Sequence, residues 1–333
     1  MTIRFAAIGL AHNHIFNMTN VLLAEGAELV TFYDEERQEE FKQRYPQVEL
    51  APSIQAILED ETIDVIVSAA IPNERAPLGI QAMQHGKDYL CAKPGFTSLE
   101  QIAEARQVQA ETGRIYSVYF GERFGNPATV KAGELVQAGV IGKVVQTVGF
   151  GPHKLLGHVP RPAWTFDRAS FGGVINDLAS HQIDQFLYFT GSTSAEIVAA
   201  QVGNFKHKQF PNMHDFGDLT IRSASATGYI RVDWLTPQGL DTWGDVRLFI
   251  TGTDGYIELR KNTDITHNSR ANHLFYVDDS GMNYIDCTDT PMPFGAQFIA
   301  DVQNRTETAM TQAHCFLASE LALQAELQAV ELT

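Results

Sequence analysis

The sequence predicts an α/β protein of two domains: a doubly wound parallel sheet, then an α+β domain with a large, mostly antiparallel open sheet. Three observations carry this expectation. Apolar runs alternate with helix-like stretches through residue 121, the pattern of a sheet covered by helices on both faces. Beyond that point the runs alternate apolar with polar and are separated by turn dipeptides. The length, 333 residues, exceeds one ordinary core and suits two domains of ~150 residues. The boundaries read 1–121 and 122–333, with two C-terminal helices packing back.

The first-domain strands are "IRFAAIG" (3–9), "ELVTFYD" (28–34), "DVIVSAA" (64–70), "DYLCAKP" (88–94) and "IYSVYFG" (115–121). Near-continuous apolar composition marks burial on both faces. Between them lie the helices "NHIFNMTNVLLAEG", "EERQEEFKQRY", "SIQAILED", "ERAPLGIQAMQHG" and "SLEQIAEARQVQAETG", several stopping at glycine. "PATVKAGELVQAGVIG" opens the second half as one helix. "KVVQTVGFGPH", "AEIVAAQVGNF", "DFGDLTIRSA", "TGYIRVDWLTP" and "DVRLFITGTDGYIELRK" follow as strands, the last a hairpin turning at "TDG" (253–255). "FGAQFIADVQNRT" and "TQAHCFLASELALQAELQA" close the chain as helices.

Composition narrows the function. With 44% hydrophobic and 19% charged residues the chain is globular rather than disordered. A net charge of -16 repels phosphate backbones, so neither nucleic acid nor an anionic membrane is an expected partner. Cys91, Cys287 and Cys315 are odd in number and widely spaced, which argues against a disulfide framework. No apolar run reaches the ~20 residues of a membrane span, and no signal-peptide pattern opens the sequence. The expectation is a cytoplasmic protein.

Ligands bind open doubly wound sheets at the carboxyl ends of their strands. The first such end reads "IGLAHNHI". Against G-x-G-x-x-G it supplies Gly9 for the tight turn, Ala11 where the backbone approaches a pyrophosphate, and His14 in place of the third glycine. His12 and Asn13 share that turn. Ala70, Pro72 and Asn73, after the third strand, are expected beside the same cofactor. Asp34 ends the second strand, twenty residues after His14, where an acid accepts hydrogen bonds from the adenosine ribose. Glu35 and Glu36 follow, and three carboxylates would repel a 2′-phosphate, so NAD is favoured over NADP. The plainer readings are an ordinary strand-to-helix turn and an Asp34 helix cap.

"DLASH" (177–181) places Asp177 and His181 four apart, on one face of a helix, just after the pair Gly172-Gly173. "CAKPG", "FGGVINDLASHQID" and "FITGTDGYIELRK", with the amino-terminal pattern, resemble the Gfo/Idh/MocA family of oxidoreductases over nearly the whole chain. The resemblance implies a Rossmann domain, a nicotinamide cofactor, and oxidation or reduction of sugars, inositols and related polyols. It matches Lys93-Pro94 to a Glu-Lys-Pro motif whose lysine lies near the nicotinamide, and Asp177 and His181 to an Asp and a His after a glycine-rich turn. The chemistry is coherent. Neutral His181 suits a base for the hydroxyl proton, Lys93 suits charge growing on the substrate oxygen, and Asp177 suits orienting the histidine. Each also has a structural reading: Asp177 at a helix start, His181 paired with Asp184, Lys93 in a solvated turn. The sequence departs from the family at Ala92, where the motif has glutamate, at Ala76, where many members have histidine, and at Ala11 and His14. Each departure touches the cofactor side.

"FGPHKLLGHVPRPAWTFD" supplies His153, Lys154, Arg161 and Trp164 as substrate contacts, or forms a proline-bent surface loop. Arg123, in "GERFGNP", is expected at the cleft. His153, His158, Asp177, His181 and His214 could instead gather a divalent metal, although no metal is assigned. The expected function is an NAD-dependent oxidoreductase acting on a secondary alcohol or ketone of a sugar, polyol or sugar acid. A non-catalytic NAD-binding sensor and a metal-dependent lyase or hydrolase are the alternatives. The spare sheet face of the second domain implies a homodimer or homotetramer.

Overall fold

The computed structural model describes residues 2–155, 161–264 and 270–332. The chain divides into two compact units. One comprises Met1–Tyr119, Ala169–Gly172 and Pro293–Phe316, the other Phe120–Arg168, Gly173–Met292 and Leu317–Thr333.

The first unit opens with β1 (Arg4–Ile8), α1 (His14–Ala24), β2 (Glu28–Tyr33), α2 (Gln38–Arg44), β3 (Glu49–Leu50) and α3 (Ile54–Glu59). It continues with β4 (Val65–Ser68), α4 (Pro72–Gln84), β5 (Asp88–Ala92), α5 (Leu99–Thr112) and β6 (Tyr116–Tyr119). The strands form a sheet in the order β3-β2-β1-β4-β5-β6, every pair parallel. All residues of β4, β5 and β6 are buried, as strands covered on both faces require. The order reverses between β1 and β4, which makes the carboxyl ends of those two strands the place for a ligand. Helix starts follow local chemistry: Ser53 Oγ accepts from the Ala56 amide at 3.1 Å, and Ser98 Oγ from the Gln101 amide at 3.3 Å.

The second unit holds α6 (Gly121–Phe124), α7 (Pro127–Gln137), β7 (Val144–Pro152) and a 3-10 turn at Ala163–Phe166. After a short α8 (Arg168–Phe171), which the division between units crosses, a π-helix at Ile175–Ala179 runs directly into α9 (Ser180–Thr190). The strands are β8 (Glu196–Gly203), β9 (Phe216–Arg222), β10 (Thr227–Asp233), β11 (Arg247–Gly252), β12 (Gly255–Arg260), β13 (His273–Asp278) and β14 (Gly281–Asp286). Helices α10 (Phe294–Asn304) and α11 (Gln312–Gln328) follow, then β15 (Val330–Leu332). The sheet order is β14-β13-β12-β11-β7-β10-β9-β8-β15. It is antiparallel except at β7–β10 and β8–β15. The expected "TDG" turn joins β11 to β12.

One face of this sheet is core. Leu248, Ile250, Ile257, Leu259 and Leu274 pack with Ala128 and Ala132 of α7. Burying each such side chain is worth about 1.5–3 kcal/mol. Helix α9 lies close on β7, where a Cβ on Gly149 would stand 2.7 Å from Gln182 Cγ. Helix α10 belongs to the first unit, where a Cβ on Gly295 would come within 3.0 Å of Val21 in α1. Arg305, just past α10, makes a two-point pair with buried Asp88 at 2.7 and 2.8 Å. The division between the units runs through α11. Cys91, Cys287 and Cys315 are buried free thiols.

Candidate functional site

In the first unit, the turn after β1 is set by backbone geometry. Gly9 has φ +74°, and a Cβ there would lie 2.5 Å from Ala70 Cβ, so no other residue fits while β1 and β4 end side by side. The Gly9 amide donates to the Tyr33 carbonyl, and the Ala69 amide to the Gly9 carbonyl. Asp34 is anchored rather than loose. Its Oδ2 accepts from the Leu10 amide at 2.6 Å, and its Oδ1 from the amides of Glu36 and Arg37 at 2.8 and 2.7 Å. A carboxylate held by three backbone amides is fixed in position and still has lone pairs for a ribose hydroxyl.

Arg37 ties the two turns together, donating through Nη1 to the Leu10 carbonyl and through Nη2 to Asn13 Oδ1, both at 2.7 Å. It also pairs with Glu40. His14 opens α1, and its amide donates to His12 Nδ1 at 3.1 Å. Pro72 is the first residue of α4.

Gly9, Ala11, Asp34, Ala70 and Asn73 line one cavity of about 530 Å³, together with Glu35, Glu36, Arg37 and Glu74. Its apolar wall includes Ile54, Ile71, Pro77 and Leu78. That volume and mixture suit an organic ligand. Asn73 Oδ1 is buried without a hydrogen-bond partner, an acceptor left for a donor that the cavity would receive. The residues present therefore fit the adenosine part of a dinucleotide.

Lys93 is buried in the first unit, at a cis Lys93-Pro94 bond. The segment around it is held by Arg75, which the sequence reading missed. Buried Arg75 donates through Nε to the Ala70 carbonyl at 2.7 Å and through Nη1 to the Lys93 carbonyl at 2.6 Å. It thereby links the ends of β4 and β5. Its neighbour Ala76, where many family members have histidine, is fully buried.

In the second unit, Asp177 stands inside the π-helix and His181 in the first turn of α9. The segment around Asp177 is a π turn where the sequence suggested a regular α-helical one. Glu326 of α11, also absent from the sequence reading, caps the start of this turn. Its Oε2 accepts from the Ile175 amide at 2.8 Å, and its Oε1 pairs with Arg168 at 3.0 Å. Gly172 and Gly173 have φ of +88° and +97°, and a Cβ on Gly173 would stand 2.1 Å from Glu326 Cδ. Gly173 makes room for the carboxylate that caps the turn. Burial pushes the Glu326 carboxyl above its ordinary range, against the pull of Arg168 and the amides. His181 is buried, its ring edge-on to Phe120 at 6.3 Å, and Asp177 is half-buried.

The remaining expected residues divide. Arg123 makes a buried two-point pair with Asp184 at 2.8 and 2.7 Å, its guanidinium 4.0 Å from the Phe124 ring centre. This pair commits Arg123 to the protein interior. Lys154 Nζ donates to the Leu240 carbonyl. His153 lies between Trp234 and Trp243, at 5.3 and 4.4 Å between ring centres. Trp164 is half-buried in the 3-10 turn. Arg161 donates to the carbonyls of Leu155 and Lys154 at 2.8 and 3.0 Å and stands over the Trp234 ring. Burial lowers the Arg161 pKa, and the nearby charge of Asp177 works against that shift. His158 lies outside the described residues. Among the described residues no group of three or more His, Cys, Asp or Glu is placed to hold a metal ion, and His214 instead approaches Glu331 at 3.6 Å.

The description "Oxidoreductase family, NAD-binding Rossmann fold" matches residues 3–120, and "GFO/IDH/MocA C-terminal domain" matches residues 129–258. The chain belongs to the Gfo/Idh/MocA family. A crystal structure from Erwinia carotovora atroseptica SCRI1043, described as an oxidoreductase, is 43% identical, with all of both chains covered and a TM-score of 0.96. The D-xylose dehydrogenase of Paenarthrobacter nicotinovorans is 27% identical over 43% of this chain and 37% of its own length. The NADP-dependent scyllo-inositol 2-dehydrogenase of Bacillus subtilis is 25% identical over 55% of this chain and 51% of its own. The match thus spans about a third to a half of these Gfo/Idh/MocA enzymes. The first unit is an NAD(P)-binding Rossmann domain. No described helix is long and apolar enough to cross a membrane.

Proposed function

We propose that the protein is an NAD-dependent dehydrogenase acting on a secondary alcohol or ketone of a sugar, polyol or sugar acid. The observation that carries this reading is the cavity at the ends of β1, β2 and β4, with Asp34 pinned by three amides for a ribose and Asn73 Oδ1 awaiting a donor. The xylose and scyllo-inositol dehydrogenases among its relatives support the substrate class. When bound, nicotinamide supplies or accepts the hydride. His181 takes the carbinol proton on an imidazole nitrogen during oxidation and returns it during reduction. Lys93 holds the substrate oxygen and stabilises its growing charge, and Asp177 orients the imidazole. A panel of sugars, polyols and aldonic acids, assayed by nicotinamide absorbance, tests the reading. His181→Ala should lower kcat by ~10²–10⁴ and leave NADH affinity unchanged. Undiminished turnover would remove His181 as acid/base. NADH binding without turnover on any substrate would favour a sensor, the reading that Ala92 and Ala76 support.

We also infer a homodimer or homotetramer through the second-unit sheet. Tyr229, Val148, Phe249, Glu258, Phe275 and Tyr284 stand opposite one another across six strands and so share one face. Tyr229 and Tyr284 are exposed. Light scattering on a size-exclusion column tests this, and a monomer at micromolar concentration would refute it.

A further inference from the structure

Glu74 occupies the first turn of α4, two residues after Pro72, and its amide donates to the Ile71 carbonyl. It lines the same cavity as Asp34, Glu35 and Glu36 but comes from a different element. The charged groups facing it there are those three carboxylates and Arg37. Arg37 is the one cation among the described lining residues, and its guanidinium is already engaged by the Leu10 carbonyl, Asn13 and Glu40. Burial first, then the charges of Asp34, Glu35 and Glu36, hold the Glu74 carboxyl above the ordinary carboxylate range. With four carboxylates and one guanidinium in its lining, the cavity already carries more negative charge than its cation neutralises.

A ribose 2′-hydroxyl and a 2′-phosphate meet this field differently. The hydroxyl donates a hydrogen bond to a carboxylate and adds no charge. The phosphate brings about -1.5 to -2 charges and only acceptors. We propose that Glu74 is a specificity-determining residue: its carboxylate completes a two-sided acidic wall that selects NAD over NADP. This rests on the nucleotide reading of the cavity and adds to it a residue outside the Gly9–His14 turn and Asp34. Arg37 does not serve as a phosphate clamp, since its donors hold the two turns together.

The test is calorimetric titration of the full chain with NAD+ and NADP+ at pH 8 and pH 5.5, for wild type, Glu74→Gln and Glu74→Ala. Wild type should bind NAD+ more tightly. Both variants should still bind NAD+ measurably and narrow the NADP+/NAD+ ratio of dissociation constants by about tenfold at pH 8, as removal of one partly screened charge implies. Acid should narrow the wild-type ratio further than the Glu74→Gln ratio, because only wild type has a Glu74 carboxylate to neutralise. The variants also correct for protonation of the 2′-phosphate itself. An unchanged ratio in both variants, with NAD+ still bound, would overturn the role of Glu74 and leave the nucleotide reading standing. Failure of wild type to bind either dinucleotide would overturn both.

Discussion

The turn after β1 and the turn before α9 each depend on glycine at positive φ, yet they are built differently. At Gly9 the constraint is backbone meeting backbone: a Cβ would come within 3.0 Å of Ala70 Cα as well as 2.5 Å of its Cβ. Asp34, which locks this turn, lies 24 residues from Leu10, within one strand-helix-strand unit. At Gly173 the constraint is a side chain, and the carboxylate that caps the turn lies 151 residues from Ile175. The first turn can be read from its own neighbourhood. The second has its glycines in plain sight and its reason at the other end of the chain.

Alanine at each position separates the two. Gly9→Ala should bring both strain and a clash with β4, so NADH binding should fall at least tenfold and Tm should drop. Gly173→Ala should store about 1–3 kcal/mol of backbone strain and displace the Glu326 cap, lowering Tm and turnover while NADH affinity holds. Calorimetric titration and thermal denaturation of both variants check this. If Gly173→Ala weakened NADH binding as much as Gly9→Ala did, the two turns would not be the independent devices described here.

The contrast also explains what was legible. Strands β1, β4, β5 and β6 announce themselves because burial on both faces leaves little room for polar residues. Strands β13 and β14 were not read, since "HLFYVDDSGMNYID" mixes polar and apolar and every residue of β14 is at least partly exposed. Gly9 and Asp34 were legible because their chemistry is local. Glu74 and Arg75 sit in an expected helix, but nothing in its apolar spacing says that one lines the cavity and the other is buried. Glu326 reads as one more charge on a closing helix. Arg123 and Lys154 looked available for substrate because their partners, Asp184 and the Leu240 carbonyl, are 61 and 86 residues away.

A smaller effect sharpens the comparison through pH. The folded-state pKa of Glu326 is raised by burial above the unfolded value of about 4.3, so folding takes up a proton in the interval between them. Stability contributed this way is fully present below about pH 4.3 and is lost as pH rises through the folded value. The Tm of wild type minus that of Glu326→Gln should therefore decline as pH rises through that interval. A difference that grew instead would mean that Arg168 and the Ile175 amide outweigh burial.

The central claim is that the first unit holds a dinucleotide on Gly9 and Asp34. Titration of the wild-type chain and of Asp34→Ala with NADH tests it most directly. Saturable one-site binding by wild type, weakened about tenfold in Asp34→Ala by loss of charged hydrogen bonds worth about 1.5–3 kcal/mol, is the predicted result. No binding by wild type, or equal affinity in a folded Asp34→Ala, would contradict it.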